Sequence, residues 1–523
     1  MTKFIPGDVD GGQILTDNDH LYPRHINEAR QSRGASVVVG RTEQCEYYCD
    51  GEDDDVQIQE ANESLTSGGL IHIKNGTYNI NSAISGVSGR GIYLKDGVCV
   101  EGEGKSTILN STVILPNTGA HGQFSIKGTK DIFIKDIFFK GASDQIAQGM
   151  NTGLAVLIWQ DGVVASSNIR VSNCDFVDGN SGVGMIGTTS HGGLEVKDIM
   201  VSDCNFTNYQ HPITVLLASD ININNIICRK SATGFVQRGL GIWHSQNVNV
   251  NNYITYDTSS NGLYIRTEEY SSETKNININ NFQAFGSLGY GCQIEAKTVA
   301  LHDINLSNCH FEKTGISSHG IFFNVSVDYL LHNVNIANSY IYGGNSGIRN
   351  SGEYSSGATR GIIQDIVFEN CNIIGTFYGA ALVKGSRVTF RNCHLVQTNA
   401  TTGYDAGYFE DLDYLTLENC TFESADNVNR RDLAVINCTN VNIKNCTAVN
   451  SRVIFTGSSG NWLNNIGMGT HNNRTTEIPN ISSGTAAPST TPIKVGNIFV
   501  DTVNNKIYIS DGTTSSGNWK ILN

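Results

Sequence analysis

An all-β solenoid, a single-stranded parallel β-helix, is the fold class this sequence predicts, on three observations. A short run of alternating apolar and polar residues ending in Asn, and often Cys, occurs eleven times; the alternation has period two; and helical spacing is absent from the repeat. The copies run from IRVSNCDF (169–176) and IMVSDCNF (199–206), through ININNFQA (277–284) and INLSNCHF (304–311), to LTLENCTF (415–422) and VNIKNCTA (441–448).

Aligned, they place Asn173, Asp203, Asn225, Asn252, Asn281, Asn308, Asn338, Asn370, Asn392, Asn419 and Asn445 in one column, at intervals of 22 to 32 residues. IFIKDIFF (132–139) is a degenerate earlier copy with Asp136 in that column. A unit this short cannot bury its apolar face alone, so each is one coil stacked on the last at about 4.8 Å, giving a shaft on the order of 50 Å. An interior Asn ladder is expected, its amides donating and accepting along the stack and satisfying turn backbone.

Cys174, Cys204, Cys309, Cys371, Cys393, Cys420 and Cys446 follow the Asn column, where Ile226, Tyr253, Phe282 and Ser339 stand in other coils. Mostly apolar substitutes point to packing, with Cys as a small reduced hydrophobe; disulfides would need pairing between coils. Of the thirteen Cys, only CEYYC (45–49) approaches metal spacing, and it lacks a second pair to close a zinc site. A second strand precedes each Asn column: GLGIWHS (239–245), GLYIRTE (262–268), GCQIEAK (291–297), GIFFNVS (320–326), GIRNSGE (347–353), GAALVKG (379–385) and AGYFEDL (406–412). Gly opens almost every one, as a sharp corner demands.

The 523 residues would fill three or four ordinary domains, an expectation a repeat array overrides. With 35 basic against 49 acidic residues, a charge of −14 and no basic run, nucleic acid and anionic membrane are excluded as expected partners. No run of 18 apolar residues is present, so no membrane insertion is expected. The opening MTKFIPGDVD lacks the charged head and apolar stretch of a secretory signal, which predicts a soluble protein made in the cytoplasm, or one whose signal preceded this numbering.

Upstream of the repeats, YYCDGEDDDVQIQEANESL (47–65) and SGGLIHIKNGTYNI (67–80) combine an acidic stretch, an amphipathic helix with Ile58, Ala61 and Leu65 on one face, then GG, a strand and GTY. This wording resembles the start of the pectate-lyase-like right-handed parallel β-helix superfamily, over about residues 45–460. The resemblance and the crossover rule imply right-handed coils. The helix is expected to cover the open first coil, which otherwise exposes an unpaired strand edge. Asp53, Asp54 and Asp55 read as N-caps and helix-dipole partners, with a calcium cluster as the alternative.

Residues 1–44 are polar and resemble short adaptors by which phage tailspikes dock on the virion; His20 and His25 read as solvated, with metal ligation the alternative. SSGTAAPSTTP (482–492) reads as a linker, and 493–523 as a three-stranded β-meander with a tight Asn-Asn turn. That module resembles those ending tailspike chains, which serve trimer assembly or receptor contact. The expected organisation is therefore 1–44 adaptor, 45–68 capping helix region, 69–481 parallel β-helix, 482–492 linker and 493–523 C-terminal module.

Chemistry is expected on the outer face of the second strand, where side chains of successive coils form a long groove. Alternation sends Leu263 and Ile265 inward and Tyr264, Arg266 and Glu268 outward, with Gln293, Glu295 and Lys297 outward on the next coil. Trp243 precedes them; Phe322, Asn324, Arg349 and Glu353 follow. Aromatic faces, planar donors and paired carboxylates are what cleavage of a sugar chain needs. Glu268 and Glu295 stand one coil and two residues apart, which places their backbones near 8 Å, within the roughly 6.5–9.5 Å span of an inverting glycosidase pair. The plainer reading is that an exposed parallel sheet pairs Arg266 with Glu295, and Glu268 with Lys297, to avoid like-charge stacking. Glu410 with Glu353 is a weaker second pair. A lyase needs a Lys or Arg base and a cation for a uronate carboxylate. Neither a metal nor a cofactor is expected.

The resemblance thus implies a tailspike-type protein, a homotrimer on the virion tail attached to a baseplate or tail protein through its N-terminus, that binds and depolymerises a polysaccharide by glycoside hydrolysis. A non-catalytic adhesin or fibre, a polysaccharide lyase, and an extracellular or cell-surface location are the alternatives.

Overall fold

The computed structural model describes residues 35–80, 91–111, 122–141, 154–160, 164–187, 196–231, 236–268, 270–313, 318–351, 361–399, 404–425, 431–450, 452–463, 465–466, 481–489, 491–492, 497–512 and 515–522. The expectations for most of the 1–44 segment, with His20 and His25, lie outside them. Two compact units divide the chain, Met1–Gly315 and Ile316–Asn523. Among the described residues the only helices are Asp54–Ser64 and the 3-10 turn Ser516–Asn518. The fold is an all-β parallel solenoid.

In the first unit each strand pairs in parallel with the equivalent strand one coil later. One inward column reads Ile169, Ile199, Ile221, Val248, Ile277, Ile304, all in register and buried. Phe139, Phe176 and Phe206 stack inside at centroid spacings of 4.9 and 4.4 Å. Period-two alternation produces this core directly, because alternate side chains face the lumen.

The Asn column is a corner, not an interior ladder. Every member has a left-handed backbone, from φ 51° at Asn173 to φ 55° at Asp203 and 54° at Asn445, a conformation that Asn and Asp tolerate best among residues with a Cβ. The corner turns the side chain outward, so Asn173, Asn225, Asn252 and Asn445 are exposed. The ladder bonds form nonetheless: Asn252 donates to Asn225 at 3.0 Å and Asn281 to Asn252 at 2.8 Å. A second left-handed column stands five residues earlier, at Asn168, Asp198, Asp220, Asn247, Asn276 and Asp303. Two corners thus bracket each short strand.

Strand Ser36–Gly40 pairs with Gly69–Ile73, so the first coil begins before the expected boundary at 44. Ile58, Ala61 and Leu65 are buried, as their shared face predicts. The capping expectation for the acidic run is corrected: Asp53, left-handed at φ 50°, makes no side-chain cap bond. Asp54 is fully buried and accepts from Gly51 N–H (2.9 Å), Asn79 N–H (2.7 Å) and Arg41 (3.1 Å). Those donors come from neighbouring elements, so the carboxylate ties the helix to strand Gly76–Ile80 instead of ending it.

The second unit repeats the pattern, with Val334, Ile366, Val388 and Leu415 in one inward column. Its left-handed corners include Arg387 and Tyr414, where no Asn or Asp marks them. Beyond Gly460–Leu463, strand Ile481–Gly484 pairs in parallel with Ile498–Asp501, which pairs antiparallel with Lys506–Ser510, and that with Trp519–Ile521. The stretch read as a linker therefore opens inside a strand, and the sheet has four strands where the meander had three. All thirteen Cys are free thiols, buried except for half-buried Cys45 and Cys99. Each column thiol donates to the carbonyl two residues back, as Cys393 to Arg391 O at 3.2 Å and Cys420 to Glu418 O at 3.3 Å. A small weak donor fits that corner better than a pure hydrocarbon.

Candidate functional site

Three strands of the first unit, Leu240–Trp243, Leu263–Thr267 and Cys292–Ala296, build the site. Ile242, Ile265 and Ile294 form the inward column; Trp243, Arg266 and Glu295 form one outward column, and Gly241, Tyr264 and Gln293 the other. This is the register expected from the sequence. The exposure is not: Trp243, Tyr264, Gln293 and Glu295 are buried, Glu295 to 1%.

The outward side chains cover one another. Guanidinium groups of Arg238 and Arg266 lie against the Trp243 ring at 5.6 and 5.1 Å and the Tyr264 ring at 5.0 and 5.2 Å. The two rings meet edge to face at 6.3 Å. Gly241 leaves room for this, since a Cβ there would come within 3.0 Å of the Trp243 ring. After Trp243 the chain turns through His244 at φ 48°; its Nδ1 lies 2.6 Å from Ser272 O, and its Nε2 lies 2.6 Å from Glu268 O and 2.8 Å from Glu268 N. That contact positions the segment carrying Glu268.

The ionic network keeps the expected Glu268–Lys297 pair and replaces the expected Arg266–Glu295 pair by one between Arg266 and Glu268. Arg266 bonds Glu268 and approaches the Tyr264 hydroxyl at 3.4 Å, while the Tyr264 hydroxyl donates to Glu295. Lys297 Nζ lies 3.1 Å from Glu268 and 3.0 Å from Glu295. Because one Nζ reaches both carboxylates, those two oxygens are at most about 6.1 Å apart, which brings the pair within reach of one bound sugar unit. Lys297 is the side chain that draws the two carboxylates toward one point.

Burial raises the Glu268 pKa, but Lys297 and Arg266 outweigh it and hold the carboxyl below its usual range. Burial lowers Lys297, yet Glu295 and Glu268 hold it above its ordinary value. A lysine so held keeps its proton and is a poor base for elimination. Burial, then the hydrogen bond to Glu295, pushes the Tyr264 hydroxyl up, so it remains a donor. His211, buried beneath Arg238, is pushed down to about 3, by burial first and then by Arg238. The cluster sets three cations, Arg238, Arg266 and Lys297, beside two carboxylates.

Of the remaining candidates, Gln293 is occupied by Asn261, which donates to it at 2.8 Å. Phe322, Asn324 and Arg349 belong to the second unit, where Phe322 pairs in register with Arg349. Arg349 is buried, donates to Asn345 at 3.1 Å and lies 5.9 Å from the Tyr378 ring. Glu353 lies outside the described residues, and with it the Glu353–Glu410 pair; Glu410 accepts from the Tyr408 hydroxyl at 2.8 Å. Sequence reasoning missed Arg238, His211 and His244. Arg238 and His244 stand in the corners flanking a strand, and His211 near the end of the long Val196–Leu216 strand, where the repeat offers no column to read.

The fold and the cluster together define a parallel β-solenoid with an aromatic and ionic site on one outer face. No protein-family model and no curated protein matches the chain. Among solved structures it is similar to the A-module of a mannuronan C-5 epimerase from Azotobacter vinelandii, with 15% identity, 76% of this chain and 96% of that one covered, and a TM-score of 0.47. It is also similar to pre-mature gene product 12 of bacteriophage phi29 (12% identity, 85% and 67% covered, TM-score 0.49). A third is tailspike protein 3 of bacteriophage CBA120 (11% identity, 90% and 67% covered, TM-score 0.41). Its structural neighbours are right-handed parallel β-helix proteins, the architecture that the resemblance of residues 45–460 implied.

Proposed function

We propose that this chain is a tailspike-type protein that binds a cell-surface polysaccharide on the outer groove of its solenoid and cleaves it by glycoside hydrolysis, with Glu268 and Glu295 as the reacting carboxylates. The observation that carries the reading is the convergence of these two side chains, from neighbouring coils, on Lys297 beside Trp243 and Tyr264. Glu268 is the more open, at 28% side-chain exposure, and is held ionised, which suits a nucleophile. Glu295, on the neighbouring coil, is then the residue that hands a proton to the leaving oxygen.

One observation favours a second reading, binding without cleavage. Lys297 and Arg266 already neutralise the carboxylates, and a general acid needs a raised value. Incubation with a panel of capsular and exopolysaccharides separates these readings. New reducing ends with shortened chains support hydrolysis, unsaturated ends identify a lyase, and binding without shortening identifies an adhesin.

The same proposal makes the protein a parallel homotrimer on a virion tail, attached to a baseplate or tail protein through its N-terminus. Helix Asp54–Ser64 then closes the first coil, and the sheet of residues 481–521 joins the subunits. Light scattering at micromolar concentration is expected to give three times the mass of one chain, and a monomer overturns this part.

A further inference from the structure

A different outer face of the first unit carries a regular array of amides. In the runs 220–225, 247–252, 276–281 and 303–308, the outward and corner positions hold thirteen Asn, two Asp and one Ser. The runs are stacked in register, Asn222 on Asn249 on Asn278 on Asn305, and all sixteen positions are exposed or half-exposed. Hydrogen bonds lock each ladder along the stack: Asn278 to Asn249 at 3.3 Å, Asn305 to Asn278 at 2.9 Å, and Asn276 to Asn247 at 3.0 Å.

This face carries only two charged side chains, Asp220 and Asp303, among its sixteen positions, and its ladders are pre-ordered. Asn252 donates to Asn225 and accepts from Asn281, which leaves one N–H and one lone pair unspent. The ladder already holds the rotamer, so a ligand hydrogen bond costs little further side-chain entropy. Ladder amides recur at each coil, about every 4.8 Å, close to the length of one pyranose in an extended chain, although at the last coil Ser307 and Asn308 both donate to Asn280. A second protein surface is a poorer occupant, because stable protein interfaces have an apolar centre and these positions supply only amide, hydroxyl and carboxylate.

We propose that this amide face is a second, non-catalytic glycan site that holds a neutral polysaccharide along the solenoid axis, through hydroxyl contacts repeated coil by coil. It extends the polysaccharide reading but does not depend on the Glu268 and Glu295 cluster. Neutral chains are its chemical class because it offers no cation to an anionic sugar, and each weak contact gains from repetition along a polymer.

The test is electrophoresis of the full chain through native gels containing dextran, mannan, a β-1,3-glucan or alginate. Wild type and the E268Q/E295Q variant are expected to be retarded alike by at least one neutral polymer. N249A/N278A is expected to bind that polymer about tenfold more weakly, the worth of one or two hydrogen bonds. N249S/N278S, which keeps hydroxyls in the ladder, replaces it if the alanine pair fails to fold, with the same expected direction. Retardation by alginate alone, by none of the four, or equally strong in wild type and the ladder variant overturns the proposal. A fall in oligomeric mass in the ladder variant also overturns it, by making the face a contact between copies. Cleavage with no ladder-dependent retardation sinks this inference and spares the catalytic one; ladder-dependent retardation without cleavage does the reverse.

Discussion

Two outer faces of the first unit are built from the same coils and differ in every other respect. On the amide face, like residues stack on like, the side chains stay exposed, and each satisfies the next along the axis. On the face of Trp243, Arg266 and Glu295, each coil contributes a different residue, and the side chains bury one another. Repetition yields a surface that supports itself without concentrating charge. Departure from repetition brings cations, carboxylates and aromatic rings together.

The largest expected difference between these faces is in turnover. Glu268→Gln or Glu295→Gln is expected to lower kcat on a cleaved polysaccharide by about 10²–10⁴-fold while polymer binding persists. Asn278→Ala is expected to leave kcat on short oligosaccharides unchanged. Reducing-end assays decide it, and full activity in both Gln variants removes the chemistry from this cluster.

Acid sensitivity should also belong to the charged side. His211 is buried neutral, with its folded value near 3 against an ordinary value of about 6.5. Because the folded value is the lower, this contribution to stability is complete above about pH 6.5 and is lost as pH falls toward 3, at about 1.4 kcal/mol per unit. His211→Gln is expected to flatten that limb of a Tm-against-pH curve. An unchanged slope breaks the assignment.

Smaller is the static cost of removing a cluster member. Glu295→Ala leaves the Tyr264 hydroxyl and part of Lys297 without an acceptor and is expected to cost about 2–3 kcal/mol in thermal or denaturant unfolding. Exposed Asn278→Ala should cost under about 1 kcal/mol. Equal losses would mean that both faces are structural in the same way.

Smallest is the corner effect. Asn281, at φ 54°, is expected to lose about 1 kcal/mol on substitution by Ala, and Asn281→Gly to recover most of it, since only glycine enters that region without a Cβ penalty. No recovery in the glycine variant would assign the loss to the ladder bond instead of the backbone.

The sequence by itself determined the solenoid, the coil register, the inward columns and the burial of the Cys thiols, because each coil repeats the same pattern and a column reports its own position. It also carried the second corner column, legible as Asn or Asp five residues before the first except at Arg387 and Tyr414. What only the tertiary structure decided is who covers whom. The burial of Trp243, Tyr264 and Glu295, the bridge of Lys297 across two carboxylates, and the presence of Arg238 and His211 depend on how far long side chains reach across neighbouring coils. Period-two alternation states which way a side chain leaves the strand, but not where its charged end comes to rest.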